Sequence, residues 1–166
     1  MKVLKFGGTS VGSVDSIRQI QHIIGQQTDD CIVVVSALGG ITDQLLKAAH
    51  LALEAGEEYM EVYQAIRCRH MDMVNTLITN PTTRQMLCLE LEGILDELRS
   101  ILFGVHLVKD LSDKTEAAIV SYGERMSSRI VTAALPGAVR KNSLQFIRTE
   151  HKQGQVLLNT ELTEQL

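Results

Sequence analysis

Lys5, followed at once by Phe6-Gly7-Gly8-Thr9-Ser10, sets a cation, two glycines and two hydroxyls side by side. Glycine lets a backbone approach a ligand without a Cβ in the way, and free N–H groups at a helix start attract anions. A phosphate or a carboxylate is the chemistry such a set can hold. Ser36 and Thr42 flank a second glycine pair, Gly39-Gly40, and Glu124 places a carboxylate among small residues. Each has a plainer reading. Lys5 can lie on an edge strand and reach solvent, and Gly-Gly can be an ordinary turn. Thr42 or Asp43 can cap a helix, and a helical glutamate can sit at the edge of a buried stripe. Two familiar phosphate motifs are excluded on the residues. There is no G-x-x-x-x-G-K-[ST], and no G-x-G-x-x-G follows the strand.

The elements that must position these groups are legible in the apolar pattern. Val3, Leu4 and Phe6 form a short run stopped by glycines, as a strand buried on both faces reads. Lys5 then lies in a dry strand and needs a partner, which a phosphate would supply. From Ser13 to Gln27, Val14, Ile17, Ile20, Ile23 and Ile24 recur at helical spacing. Cys31 to Ser36 is β-branched and continuous, a central parallel strand. Strand, helix and strand make a βαβ unit with a right-handed crossover. Both strands then end at one edge, where ligands of open α/β sheets sit, and Ser36 falls near Lys5. Two glycine turns side by side would also concentrate N–H donors.

From about Gln44 to Val105 the chain reads as helical. Leu45, Leu46, Ala49 and Leu53 form one face, closed by Gly56. Tyr59, Val62, Ile66, Met73, Val74 and Leu77 form a second, with Asn80-Pro81 as a break. Met86, Leu87, Leu89, Leu91, Ile94, Leu95, Leu98, Ile101 and Leu102 form a third. His22, His50, His70 and His106 are expected at the surface or as caps, and Cys68 with His70 is too small a set for zinc.

Ser112 to Glu116 opens a helix that Pro136-Gly137 stops. On it Ala117, Val120, Glu124, Ser127, Val131 and Ala134 share one face. Gly123 stands in mid-helix at about 1 kcal/mol relative to alanine, which implies a close approach there. Ser143 to Arg148 reads as a third strand and Gln155 to Leu158 as a short fourth. Asn159-Thr160 would cap a last helix, and Arg148 reads as a surface arginine.

Composition narrows the classes. The 166 residues suit one domain with a real core. A net charge of −4 carries no nucleic-acid footprint. Cys31, Cys68 and Cys88 are odd in number and widely spaced, so they read as reduced core residues of a cytoplasmic protein. No run is long enough for a membrane span, and the first residues do not form a signal peptide. Neither a membrane nor a nucleic acid is expected as partner, and no dedicated metal ligand is.

Lys5-Phe6-Gly7-Gly8-Thr9-Ser10-Val11 resembles the opening signature of aspartate kinases, in the amino-acid kinase superfamily. Val34-Val35-Ser36-Ala37 with Gly40-Ile41-Thr42-Asp43 resembles that family again, although Leu38-Gly39 departs from its usual small pairs. Gly123-Glu124 with Ser127 resembles its Gly-Glu-x-x-Ser motif. The resemblance implies that Lys5, as catalytic residue, and Phe6, Gly7, Gly8, Thr9 and Ser10 hold the transferred phosphoryl group of ATP. It implies that Ser36, Thr42 and Glu124 hold L-aspartate, Glu124 through the amino group. Mg2+ would ride on the ATP.

The implied fold is α/β: the N-terminal portion of a three-layer α/β/α, carbamate kinase-like amino-acid kinase fold, with a mainly parallel sheet and a helical extension. The helical block looks most like bifunctional aspartokinase/homoserine dehydrogenases, though monofunctional lysine-sensitive enzymes carry one too. Residues 1–166 are therefore expected to be the N-terminal lobe of a longer kinase domain. Its adenine and ribose pocket, ACT domains and any dehydrogenase domain would lie elsewhere. The implied parent transfers the ATP γ-phosphoryl group to the aspartate side chain, the first step toward lysine, threonine and methionine, as a homo-oligomer. The alternatives are a non-catalytic aspartate-binding or regulatory fragment, and a sister enzyme such as glutamate 5-kinase or carbamate kinase.

Overall fold

A computed structural model describes residues 1–54, 56–152 and 155–164. Strand β1 (Lys2–Phe6) and strand β2 (Cys31–Val35) pair in parallel, with Lys2 opposite Cys31 and Phe6 opposite Val35. Helix α1 (Val14–Gly25) connects them. It starts where the Ser13 hydroxyl accepts the Ser16 N–H at 3.1 Å, and it buries Ile17 and Ile20. The βαβ unit is thus as expected.

The strands are not buried on both faces. Phe6, Val33 and Val35 pack against the core, while Val3, Ile32 and Val34 are exposed. A continuous apolar run reads as doubly buried only where both faces have cover. Among the described residues, helices cover one face of this sheet.

Helix α2 (Ile41–Ala52) is the hub, packing on α3 (Glu58–Leu77), α4 (Pro81–Val108) and α5 (Asp113–Ala134). Ile41, Leu45, Ala48, Ala49 and Ala52 are buried, and the small alanines let three helices close around one. Asn80-Pro81, the expected break, is a start signal: Asn80 caps α4 through the Thr83 N–H at 3.0 Å and Pro81 opens the helix. Lys109 ends α4 in the left-handed region at φ 58°. Its ammonium bonds the carbonyls of Ala52 and Glu54 and so ties the end of α4 to that of α2. Arg125 and Tyr122 of α5 meet Glu97 of α4, and Arg129 meets Glu90 at 2.5 Å. The Arg125 guanidinium holds the Glu97 carboxyl below the usual carboxylate range.

Four expectations need correction. His70 is not at the surface: it is fully buried in α3, with Nδ1–H donating to the Ile66 carbonyl at 2.7 Å. Among the described residues its Nε2 has no hydrogen-bond partner, and burial lowers its pKa to about 4. Second, Ser143–Arg148 is not a strand. Ser143–Gln145 forms a 3-10 turn, and the strand β3 (Thr149–Lys152) begins after it, pairing antiparallel with β4 (Gln155–Leu158). Asn142 supplies the reason, its side chain accepting the Leu144 N–H at 3.3 Å and initiating a turn. Third, the expected stripe of α5 holds in part: Ser127, Val131 and Ala134 are buried, but Ile119, Tyr122, Met126 and Ile130 share the core face with them, and Ala117 is exposed. The bulky residues take the core and rotate the small stripe toward β2. A short helix α6 (Thr160–Glu164) follows β4, where Asn159 accepts the Leu162 N–H, as expected of a cap. Fourth, the cysteines are not core residues: Cys31 and Cys88 are half-buried, and Cys68 is exposed because it falls off the buried face of α3.

Candidate functional site

The two glycine turns lie against each other, backbone on backbone. A β-carbon on Gly8 would come within 3.2 Å of the Ala37 carbonyl, and one on Gly39 within 3.1 Å of the Gly8 carbonyl. Gly12 is the third member, a β-carbon there lying 3.1 Å from the Gly8 carbonyl and 3.5 Å from the Gly39 nitrogen. Sequence reasoning passed over Gly12, though it too sits just before a helix. Glycine is favoured at these positions because the neighbours are main chain, which would have to give by a few tenths of an ångström to admit a β-carbon.

The packing leaves donors free. Within the first turn the Val11 N–H returns to the Gly7 carbonyl and the Gly12 N–H to the Thr9 carbonyl. Among the described residues, the N–H groups of Gly8, Thr9 and Ser10 have no protein acceptor. Lys5 is exposed rather than buried, on the open face of the sheet beside Val34. Its Nζ would lie 3.8 Å from a β-carbon on Gly7, so the ammonium stands over the turn. An exposed lysine keeps its hydration without a partner. The burial argument for a phosphate therefore fails, while the placement beside the turn holds.

Ser36 prolongs the parallel ladder, its N–H donating to the Phe6 carbonyl at 3.1 Å. Thr42 and Asp43 do not cap α2: Gly40 is the cap residue, at φ 80°, with no side-chain cap bond. The plainer reading of Thr42 therefore lapses, and its half-buried hydroxyl has no hydrogen-bond partner among the described residues.

Helix α5 brings the carboxylate. A β-carbon on Gly123 would lie 2.6 Å from the Ala37 Cβ and 3.4 Å from Leu45 Cδ1, so glycine is what lets α5 reach the second turn. One residue on, Glu124 Oε1 accepts the Ala37 N–H at 3.2 Å. One turn further, the buried Ser127 hydroxyl donates to the Ser36 carbonyl at 2.7 Å. Glu124 is exposed at the stripe's edge, as its plainer reading held, yet one oxygen is anchored, and the other has no partner among the described residues. Sequence reasoning placed Ser127 on the shared helix face and in a motif without giving it a partner, and the bond to Ser36 makes it a support of the turn.

Arg69, which the sequence did not single out, reaches the same place from α3. Its guanidinium donates to the Gly12 carbonyl at 3.3 Å and lies 3.9 Å from where a β-carbon on Gly40 would be. No signal in the local pattern marks it, because its partner is a main-chain carbonyl far away in sequence. The structure thus gathers the Lys5 to Ser10 turn, the Ser36 to Thr42 turn and Glu124 around one edge. Arg148 remains apart, hydrogen-bonding the Leu144 carbonyl at 2.6 Å.

A family model described as the amino acid kinase family matches residues 1–164. The chloroplastic aspartokinase 2 of Arabidopsis thaliana is 32% identical over 137 residues, covering 80% of this chain and 24% of the relative. A bifunctional aspartokinase/homoserine dehydrogenase of Buchnera aphidicola is 30% identical over 141 residues, covering 81% of this chain and 17% of the relative. The structure of E. coli aspartokinase III in complex with lysine and aspartate, in the T-state, superposes with a TM-score of 0.84 at 26% identity. It covers 99% of this chain and 36% of that one. The R-state complex of that protein with aspartate and ADP matches the fold equally, at TM-score 0.84 and 24% identity. The chain spans about a quarter of the length of the first curated relatives it matches.

Proposed function

The chain belongs to the amino acid kinase family, and we propose that it is the part of an aspartate kinase that holds the transferred phosphoryl group and the amino-acid acceptor. The observation that carries this reading is Glu124 Oε1 on the Ala37 N–H, which fastens a carboxylate beside both glycine turns. In this reading ATP presents its terminal phosphates to the N–H groups of Gly8, Thr9 and Ser10, with Phe6 and Gly7 shaping the turn. Lys5 neutralises charge as it develops on the phosphoryl oxygens. Magnesium carried by the ATP adds charge neutralisation of the same kind.

Aspartate is held by Ser36, Thr42 and the free oxygen of Glu124, the last facing its ammonium group. A side-chain carboxylate is ionised at neutral pH, so its oxygen attacks phosphorus with no general base. One P–O bond forms as the bond to the departing ADP breaks. The protein's work is alignment and charge stabilisation. Residues 1–166 act as the N-terminal lobe of the kinase domain, and contacts to adenine and ribose belong to the length of the relatives that this chain does not span.

The reading is tested by titrating the full-length parent with L-aspartate and ATP and following turnover. Glu124→Gln should weaken aspartate binding at least tenfold. Lys5→Ala should cut turnover by orders of magnitude at near-normal binding, since it acts on transition-state charge. Unchanged aspartate affinity in the first variant, or near-normal turnover in the second, overturns the assignment. Glutamate or carbamate as preferred acceptor would transfer the reading to a sister kinase. For the chain by itself, its share of the relatives' length favours a second reading: aspartate binding at this half-site without phosphoryl transfer.

A further inference from the structure

The two glycine turns are held from different sides. The second is clamped by α5, through Glu124 on the Ala37 N–H and Ser127 on the Ser36 carbonyl. The first turn has no such clamp from α5. Among the described residues its main chain, Gly7 to Gly12, bonds within itself, and Arg69 of α3 is the one side chain that hydrogen-bonds it, at the Gly12 carbonyl. Past the ladder bond from Ser36 to Phe6, no hydrogen bond among those residues runs directly from one turn to the other. Their meeting is backbone against backbone, at Gly8, Gly12 and Gly39. Such contact limits how near two segments come, whereas hydrogen bonds also fix their angle.

Arg69 also reaches the second turn. Its Nη2 donates to the Gly12 carbonyl at 3.3 Å, while Nη1 stands 3.9 Å from where a β-carbon on Gly40 would be. One rigid, planar group therefore spans both turns. Local rules do not put it there. Asp72, three residues on along α3, would offer an ion pair on the helix surface, as Asp15 does for Arg18 in α1. Among the described residues Asp72 has no ion-pair partner, and the half-buried Arg69 side chain is directed at main chain instead. In the kinase reading the first turn holds the moving phosphoryl group, and the second, with Thr42 just past Gly40, holds the acceptor. In-line transfer depends on their separation. The reacting atoms must lie about 3–3.5 Å apart, and a misplacement of about 1 Å costs roughly a hundredfold in rate.

We propose that Arg69 is a positioning residue for phosphoryl transfer, which fixes the phosphate-holding turn against the acceptor-holding turn by bridging Gly12 and Gly40. The proposal rests on the kinase reading and deepens it. Because Arg69 sets the distance between the two reactants, its main effect belongs in kcat. At saturating ATP and aspartate, Arg69→Ala in the full-length parent should lower kcat at least tenfold and leave the KM for aspartate within twofold. An open cavity lined by Gly12, Val14, Cys68, Asp72 and Met73 adjoins the guanidinium. Millimolar guanidinium ion should therefore enter the alanine variant and raise its kcat at least threefold, where equal sodium chloride does not. A side chain that only stabilises the fold would lower the melting temperature without this rescue. Amide exchange in the chain by itself supplies a readout independent of activity. Val11 and Gly12, whose N–H groups bond inside the first turn, should exchange at least fivefold faster in Arg69→Ala, with exchange in α4 unchanged. A kcat at the parental level, or a loss that guanidinium does not restore, overturns the proposal. A parent that does not phosphorylate aspartate would overturn the kinase reading alone, and unchanged exchange at Val11 and Gly12 would overturn the bridge separately.

Discussion

The buried Ser127 hydroxyl donates a 2.7 Å hydrogen bond to the main-chain carbonyl of Ser36. The bond joins the middle of α5 to the end of β2, and with Glu124 on the Ala37 N–H it clamps one peptide segment from two successive helical turns. The carboxylate of the site is therefore positioned by the backbone it serves.

Ser127→Ala should leave that carbonyl of the half-buried Ser36 without its side-chain partner. A lost partner for a buried polar group costs about 1–3 kcal/mol, read as a lower urea midpoint at unchanged slope. Ser127→Thr, keeping the hydroxyl, should recover part of the loss. Equal stability of the alanine variant and the parent would show that the bond contributes nothing.

Gly123→Ala sets two effects against each other. Helix propensity favours alanine by about 1 kcal/mol. The new methyl would stand 2.6 Å from the Ala37 Cβ, a contact that cannot exist without movement. Overpacking of this kind costs about 1–3 kcal/mol, so the net change should be destabilising. Displacing Ala37 should also release Glu124 and weaken aspartate binding in the full-length parent. A stabilised variant with normal affinity would show that α5 can retreat freely.

His70 should make stability fall with acid. Its pKa is near 4 in the fold, against about 6.5 when unfolded. Between these values the unfolded chain binds the proton and the native one does not, so stability is full above about pH 6.5 and drops as pH approaches 4. At about 1.4 kcal/mol per unit the loss reaches about 3 kcal/mol. His70→Gln should flatten the slope of melting temperature against pH over this window. An unaltered slope would place the acid sensitivity elsewhere.

Arg69→Ala should loosen the first glycine turn by freeing the Gly12 carbonyl, to which the guanidinium donates at 3.3 Å. A hydrogen bond worth about 1 kcal/mol corresponds to roughly fivefold weaker nucleotide binding in the full-length parent. Arg69→Lys, retaining charge with fewer donors, should fall between. A fall in thermal stability at unchanged nucleotide affinity would make Arg69 a purely structural brace.

Much of this arrangement was legible in the sequence, because it rests on local rules. Glycine pairs after apolar runs announce turns. Ser13 and Ser112 each accept the N–H three residues on and start a helix. The Lys5, Ser36, Thr42 and Glu124 positions carried family motifs, and the fold brings their segments to one edge. What tertiary structure alone decided involves partners distant in the chain. Burial of His70, exposure of Lys5 and the rotated stripe of α5 depend on which faces find cover, and side-chain type does not determine that. Gly12 and Arg69 entered the site because their partners are backbone atoms, which carry no sequence identity to read. Periodicity states which residues can share a face. Only packing states whether that face meets protein, ligand or water.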